Sequence, residues 1–293
     1  RISAGLRVNP QVGLGSIKES SVAGTYSKFG VPLETGRKKI LEVFQQYSWL
    51  SGLHLHVGSQ GCKPELLVEG VRRLYELMQE INALRDAGRM KRIDVFDIGG
   101  GLPVSYSAEN EPPSMEDYVT LLKNSAPDLF GHEDHGGHEP TIMIITEFGR
   151  WMFTNAGFTI SRVEYVKEDP GVKTAMIHVG ADLLVRECLN PSDWQHEYSV
   201  FTPQGNLKSG SDVLPYNLAG PLCYSGDIVA KNVRRPIIEP GDFLAIHDTG
   251  SYTFSMWSRY NSRQTPRILG YRESNFTILK ERETLSELVK FWE

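Results

Sequence analysis

The chain has 293 residues, 40% apolar and 23% charged, enough for one large domain or two medium ones around a sizeable core. Its net charge of −5, spread along the chain, argues against a nucleic-acid or membrane-surface partner, both of which favour a basic face. No apolar run approaches the ~18–20 residues of a membrane span, and no signal peptide opens the sequence. The three cysteines, Cys62, Cys188 and Cys223, form neither a disulfide framework nor a zinc spacing, and read as reduced thiols of a cytoplasmic or similarly reducing compartment. A start at Arg1, with Arg1–Pro10 reading as the middle of a fold, predicts that chain is missing upstream.

From Ser51 onward, short apolar runs alternate with helical stretches. Gly52–Val57 (GLHLHV) reads as a buried strand. Pro64–Ala87 reads as a helix opened by Pro64, with Leu67, Val71, Leu74, Met78 and Ile81 at helical spacing. Ile93–Ile98 is a second strand, stopped by Gly99–Gly101; Asp117–Lys123 suggests a helix and Thr141–Thr146 a third strand. Strand and helix in alternation, with short links, predict parallel strands with crossover helices. Functional residues of such folds lie at the C-terminal strand ends, where His56, Gly99–Gly101 and Glu147–Arg150 fall.

Beyond about Gly157 the pieces are short and β-rich (158–166, 174–179, 198–202, 242–247), separated by Gly, Pro and Asn turns. This predicts a mostly antiparallel β domain over 158–293, closed by a helix at Glu281–Trp292, after an α/β domain at 1–157. The polar loop Gly131–Pro140 holds His132, His135 and His138; it reads as a solvated insertion, and no metal site is predicted.

Singly, each motif has an ordinary structural explanation. A glycine triplet serves many tight turns, a strand-end histidine can be a satisfied core residue, and Glu147 with Arg150 can be an ion pair worth ~0–1 kcal/mol if exposed. Their combination and order are more specific: His56-Val57-Gly58-Ser59-Gln60, Asp97-Ile98-Gly99-Gly100-Gly101, Glu147-Phe148-Gly149-Arg150, Gly220-Pro221-Leu222-Cys223 and Gly250-Ser251-Tyr252-Thr253. With Ser27-Lys28-Phe29-Gly30, Tyr260-Asn261-Ser262-Arg263 and Glu281–Leu285, the chain resembles, nearly end to end, the pyridoxal-phosphate (PLP) decarboxylases of the diaminopimelate/ornithine family, and the diaminopimelate branch most.

The resemblance implies part of a PLP-binding (β/α)8 TIM barrel followed by an antiparallel β-barrel or sandwich domain. It implies pyridoxal 5'-phosphate as cofactor, an amino acid as substrate and a homodimer with shared active sites. His56 would stack on the cofactor ring, and Glu147 would bond the pyridine nitrogen. Ser59, the amides of Gly99, Gly100 and Gly101, the Gly149–Arg150 segment and Tyr252 would hold the phosphate. Cys223 would donate the proton that replaces the carboxylate, reaching across the dimer, with Asp227 in support. The Schiff-base lysine would lie upstream of Arg1, so these residues alone are expected to be poorly stable and to form no cofactor adduct.

Two positions depart from the diaminopimelate pattern. Tyr224 stands where a Glu meets the substrate's distal ammonium, a loss of about 1.5–3 kcal/mol if unreplaced. Arg-Pro-x-Leu-Tyr, whose Arg holds the distal carboxylate, becomes Arg186-Glu187-Cys188-Leu189-Asn190. Arg186 remains, and Arg263 also suits a carboxylate. The leading expectation is decarboxylation of meso-diaminopimelate to L-lysine. The alternatives are another basic amino acid, or a non-catalytic homologue that pairs with an active decarboxylase.

Overall fold

The computed structural model describes residues 4–107, 111–130 and 142–293. The His-rich stretch 131–140 and Thr141 lie outside them. The chain divides into two compact units, Arg1–Ala156 and Gly157–Glu293.

The first unit runs β1 (Ala4–Asn9), β2 (Val31–Pro32), α1 (Leu33–Gln46), β3 (Leu50–His54), α2 (Pro64–Ala87), β4 (Val95–Asp97), α3 (Met115–Ser125), β5 (Met143–Ile145) and α4 (Gly149–Phe153). Its five strands form one sheet in the order β2-β1-β3-β4-β5, every ladder parallel. The helix α2 has the limits its apolar spacing predicts. Pro64 starts it, and Leu67, Val71, Leu74, Met78 and Ile81 are buried along one face. Near its end Arg85 is wholly buried. Its guanidinium donates to the carbonyls of Phe44, Tyr47, Leu50 and Lys91, tying the end of α1 and the start of β3 to α2. From the same helix, Asn82 Oδ1 accepts the Ile93 amide at 2.8 Å and fixes the approach to β4. The core comprises Phe44, Leu53, Leu55, Leu74, Leu77 and Phe96 with their neighbours.

The second unit contains β6 (Thr159–Asp169), β7 (Val172–Ile177), α5 (Val185–Leu189), β8 (Tyr198–Phe201), β9 (Val213–Ala219), β10 (Ile228–Pro236), β11 (Phe243–Ile246), β12 (Ile268–Arg272), β13 (Asn275–Lys280) and α6 (Leu285–Lys290). Six strands form a sheet in the order β10-β9-β7-β6-β11-β8, over a core that includes Val163, Ile177, Tyr216, Leu218, Leu244 and Ile246. Four of its ladders are antiparallel; β7–β9 is parallel. β12 and β13 form a separate hairpin. The closing helix is shorter than its predicted span, because the Thr284–Glu287 capping box sets its start. β10 has no clean period-two pattern to read: its register shifts twice, and Asn232 adopts φ +54°. Among the described residues no helix is long and apolar enough to cross a membrane.

Candidate active site

Parallel pairing aligns Arg7 of β1 with His54 of β3, His54 with Asp97 of β4, and Asp97 with Ile145 of β5. Two residues beyond the aligned His54 and Ile145 lie His56 and Glu147. His56 Nδ1 is 2.9 Å from Glu147 Oε2, and His54 Nε2 is 3.6 Å from Glu147 Oε1. One carboxylate therefore faces two imidazoles. His54 was not singled out in the sequence, although two residues apart on a strand is a same-face spacing that links it to His56. Asp97 closes the group, and His54, Asp97 and Glu147 each bring a ligand atom within 4.8 Å of the others. Burial holds the His54 imidazole below its ordinary pKa against the opposing pull of Asp97 and Glu147. Burial raises the Asp97 carboxyl, and Glu147 adds to the effect. The trio groups ligand atoms that could hold a cation or a positively charged ring N–H.

Beside it the backbone is tightly folded. A Cβ on Gly100 would lie 2.2 Å from the Glu147 carbonyl oxygen, and one on Gly101 (φ +102°) 2.2 Å from that of Gly58. No other residue fits these two positions unless the backbone moves. The Gly99 amide is engaged by Asp97 Oδ1 at 2.9 Å. The Gly100 amide lies 3.3 Å from His56 Nδ1, a nitrogen that also faces Glu147. A carboxylate requires a donor, so Nδ1 carries its proton toward Glu147 and cannot also accept. The Gly100 amide is left to another acceptor.

Arg150, only 5% exposed, is the second residue of α4 and donates from Nε to Ser59 Oγ (3.1 Å) and from Nη1 to the Tyr106 hydroxyl (2.5 Å). The Gln60 side chain meets both backbone groups of Val104, at 2.7 and 3.0 Å, and so holds the segment carrying Tyr106. Glu147 and Arg150 thus turn to different partners. Tyr106 carries no motif and escaped the sequence reading.

In the second unit, Cys223 is exposed. The Tyr224 ring folds back on Gly226, where a Cβ would meet it at 2.4 Å. Asp227 is buried, with Oδ1 accepting the Ala181 amide (2.6 Å) and Oδ2 the Leu222 amide (2.7 Å). Arg263 donates to the His178 carbonyl (2.7 Å) and to Asp182 (3.4 Å). In this structure Asp227 holds two backbone amides, and Arg263 meets one backbone carbonyl and the Asp182 carboxylate. Arg186 lies over the rings of Trp194 (4.2 Å) and Tyr252 (5.4 Å), with Glu187 at 3.6 Å. Its buried Nε and Nη1 have no hydrogen-bond partner among the described residues. Burial raises the thiols of Cys62 and Cys188, the latter to about 12 with help from Asp227, Glu187 and Asp182, so neither is a ready thiolate.

Residues 1–154 match the family model described as the pyridoxal-binding domain of pyridoxal-dependent decarboxylases. The chain belongs to this family. Among curated relatives, the diaminopimelate decarboxylase of Methanothermobacter thermautotrophicus is 30% identical over 288 residues, which is 97% of this chain and 63% of that one. Solved structures agree. Diaminopimelate decarboxylase of Helicobacter pylori complexed with L-lysine matches at TM-score 0.81 and 27% identity, over 100% of this chain and 67% of that one. The Methanocaldococcus jannaschii enzyme in co-complex with L-lysine matches at TM-score 0.80 and 26% identity, over 98% and 62%. The fold is thus the one these decarboxylases share, a helix-flanked parallel sheet of the barrel type followed by a β domain. The chain spans less than two thirds of the length of the first curated relatives it matches.

Pyridoxal phosphate, the family's cofactor, carries a phosphate dianion and a basic ring nitrogen, and the first unit suits both. A buried guanidinium joined to two hydroxyls beside a glycine turn suits the phosphate, and a carboxylate between two imidazoles suits the protonated nitrogen.

Proposed function

We propose that this chain serves the PLP-dependent decarboxylation of an amino acid, with meso-diaminopimelate to L-lysine as the first candidate reaction. The placement of the Glu147 carboxylate against His56 and His54 carries the proposal. The chemistry pyridoxal phosphate supplies when bound is an electron sink for the bond to the departing carboxylate. Glu147 would keep a proton on the pyridine nitrogen. His56 would lie against the ring, while Ser59, Arg150 and the amides of Gly100 and Gly101 would hold the phosphate; Tyr106 joins them by its contact with Arg150. Cys223, whose thiol is exposed, would return one proton to the carbon that has lost CO2. We further propose a homodimer working in a reducing cytoplasm.

The relatives solved with L-lysine, the product expected from meso-diaminopimelate, support this substrate. A second reading, a basic amino acid without a distal carboxylate, is favoured by one feature. Glu187 already stands 3.6 Å from the Arg186 guanidinium that would otherwise meet that carboxylate.

The test is CO2 release by the complete protein, loaded with PLP, over meso-diaminopimelate, lysine, ornithine and arginine. Turnover of meso-diaminopimelate supports the first reading. Turnover of another member alone selects the second. Silence across the panel with PLP bound leaves two surviving readings, an untested amino acid or a non-catalytic partner subunit.

A further inference from the structure

A proton donor must be aimed, yet Cys223 sits on an exposed loop between β9 and β10 with no ladder of its own. From beneath, Asp227 anchors the loop by accepting the Leu222 amide. From its other side a single turn, some 38 residues further along, reaches both backbone groups of Cys223. The Cys223 N–H donates to Asn261 Oδ1 at 2.8 Å, and the Tyr260 hydroxyl donates to the Cys223 carbonyl at 3.2 Å. These groups belong to the two peptide planes flanking one Cα. Fixing both planes fixes the direction of the Cα–Cβ bond and leaves the thiol only its χ1 rotation.

The turn that supplies the two side chains is specialised. Asn261 (φ +55°) and Ser262 (φ +51°) are left-handed, a conformation Asn tolerates better than most residues. It is also braced on both flanks. Arg259 makes a two-point contact with Glu283 at 2.7 and 2.9 Å, and Arg263 holds the His178 carbonyl and Asp182. The Ser258 amide adds a bond to the Asp182 carbonyl.

We propose that Tyr260 and Asn261 are positioning residues that clamp the Cys223 peptide and so aim its thiol. This deepens the proton-donor reading of Cys223 and rests on it for its catalytic meaning, although the clamp itself is a matter of geometry.

The test uses the complete, PLP-loaded protein and the variants Asn261→Gly, Asn261→Asp and Tyr260→Phe. Glycine removes the acceptor without straining the left-handed backbone, and aspartate keeps an acceptor oxygen. Alkylation of Cys223 by iodoacetamide is followed by peptide mass spectrometry, with buried Cys62 reporting unfolding of the first unit and half-buried Cys188 that of the second. Kinetics are run on whichever substrate of the panel is turned over. Asn261→Gly is expected to speed Cys223 alkylation and lower kcat, each by about two- to ten-fold, the scale of one net hydrogen bond. KM should stay within about a factor of two, as for a contact that acts on the chemical step. Asn261→Asp should restore both, and Tyr260→Phe should move both in the same direction as Asn261→Gly, by less. Unchanged alkylation in Asn261→Gly with Cys62 unlabelled overturns the clamp, as does an Asn261→Asp variant no better than Asn261→Gly. Wild-type turnover by Cys223→Ala would overturn the proton-donor reading alone; the alkylation series, which needs no turnover, judges the clamp by itself.

Discussion

The two units carry candidate site residues by opposite means. In the first, His56, the glycine triplet and Glu147 follow directly on β3, β4 and β5, and parallel pairing sets their spacing. Side chains at the ends of adjacent parallel strands are neighbours ~5 Å apart whatever the loops do. In the second, Cys223, Arg186, Tyr252 and Arg263 all lie outside the β-strands. There, position is set by side chains that hold backbone: Asp227 on Ala181 and Leu222, Asn261 and Tyr260 on Cys223, Arg263 on His178. A ladder places residues by repeating one geometry, so local sequence suffices to specify it. A loop cluster needs a separate contact for each residue, and each contact can be removed separately.

Substitutions at three positions probe that contrast. The largest effect is expected at Arg85, a buried side chain that bonds both the end of α1 and the start of β3. Arg85→Met removes the side-chain donor shared by four carbonyls and should destabilise the first unit by roughly 3 kcal/mol or more. Hydrogen exchange of peptides from α1 and α2 reads this directly. Unchanged protection would mean that strand pairing alone holds the unit together.

Asp227→Ala comes next. It removes the acceptor of two amides and should cost about 2 kcal/mol, seen as a lower melting temperature and faster exchange over residues 220–228. Asp227→Asn, with one acceptor oxygen left, should cost roughly half as much. Equal losses in both variants would show that the charge, rather than the two bonds, holds the loop.

The smallest effect concerns pH. The folded-state pKa of His54 is lowered, chiefly by burial, so the unfolded chain takes up the proton more readily. The stability that neutral His54 contributes is complete above about pH 6.5, the ordinary histidine value, and is lost as pH falls through the folded pKa. Asp97 works the other way: its raised pKa favours the folded state below the usual aspartate range, and that contribution fades as pH rises through the folded value. The melting temperature of wild type should therefore fall more than that of His54→Gln on acidification below about pH 6.5. Parallel curves would remove His54 from the titrating group.

Much of the first unit was legible in advance. Pro64 and the apolar face of α2 defined that helix to the residue, and glycine stops after short apolar runs marked the strand ends where His56 and Glu147 lie. His54 could have been found by its spacing from His56. Tyr106 could not, because nothing before Gln60 and Arg150 take hold of that segment distinguishes it. In the second unit Tyr260-Asn261-Ser262-Arg263 stood out as a family-like string, but no local signal told that it grips a cysteine 38 residues earlier.

The sequence by itself determined the alternation of strand and helix, the order of the strand-end motifs and the family to which they belong. These follow from short-range periodicity, turn chemistry and residue identity, all written within a few positions. Only the tertiary structure decided that Glu147 faces two histidines, that Asp227 and Arg263 hold backbone, and that one turn holds Cys223 by both its peptide groups. A hydrogen bond between residues far apart in the chain depends on how every intervening element packs, and no local pattern encodes that sum.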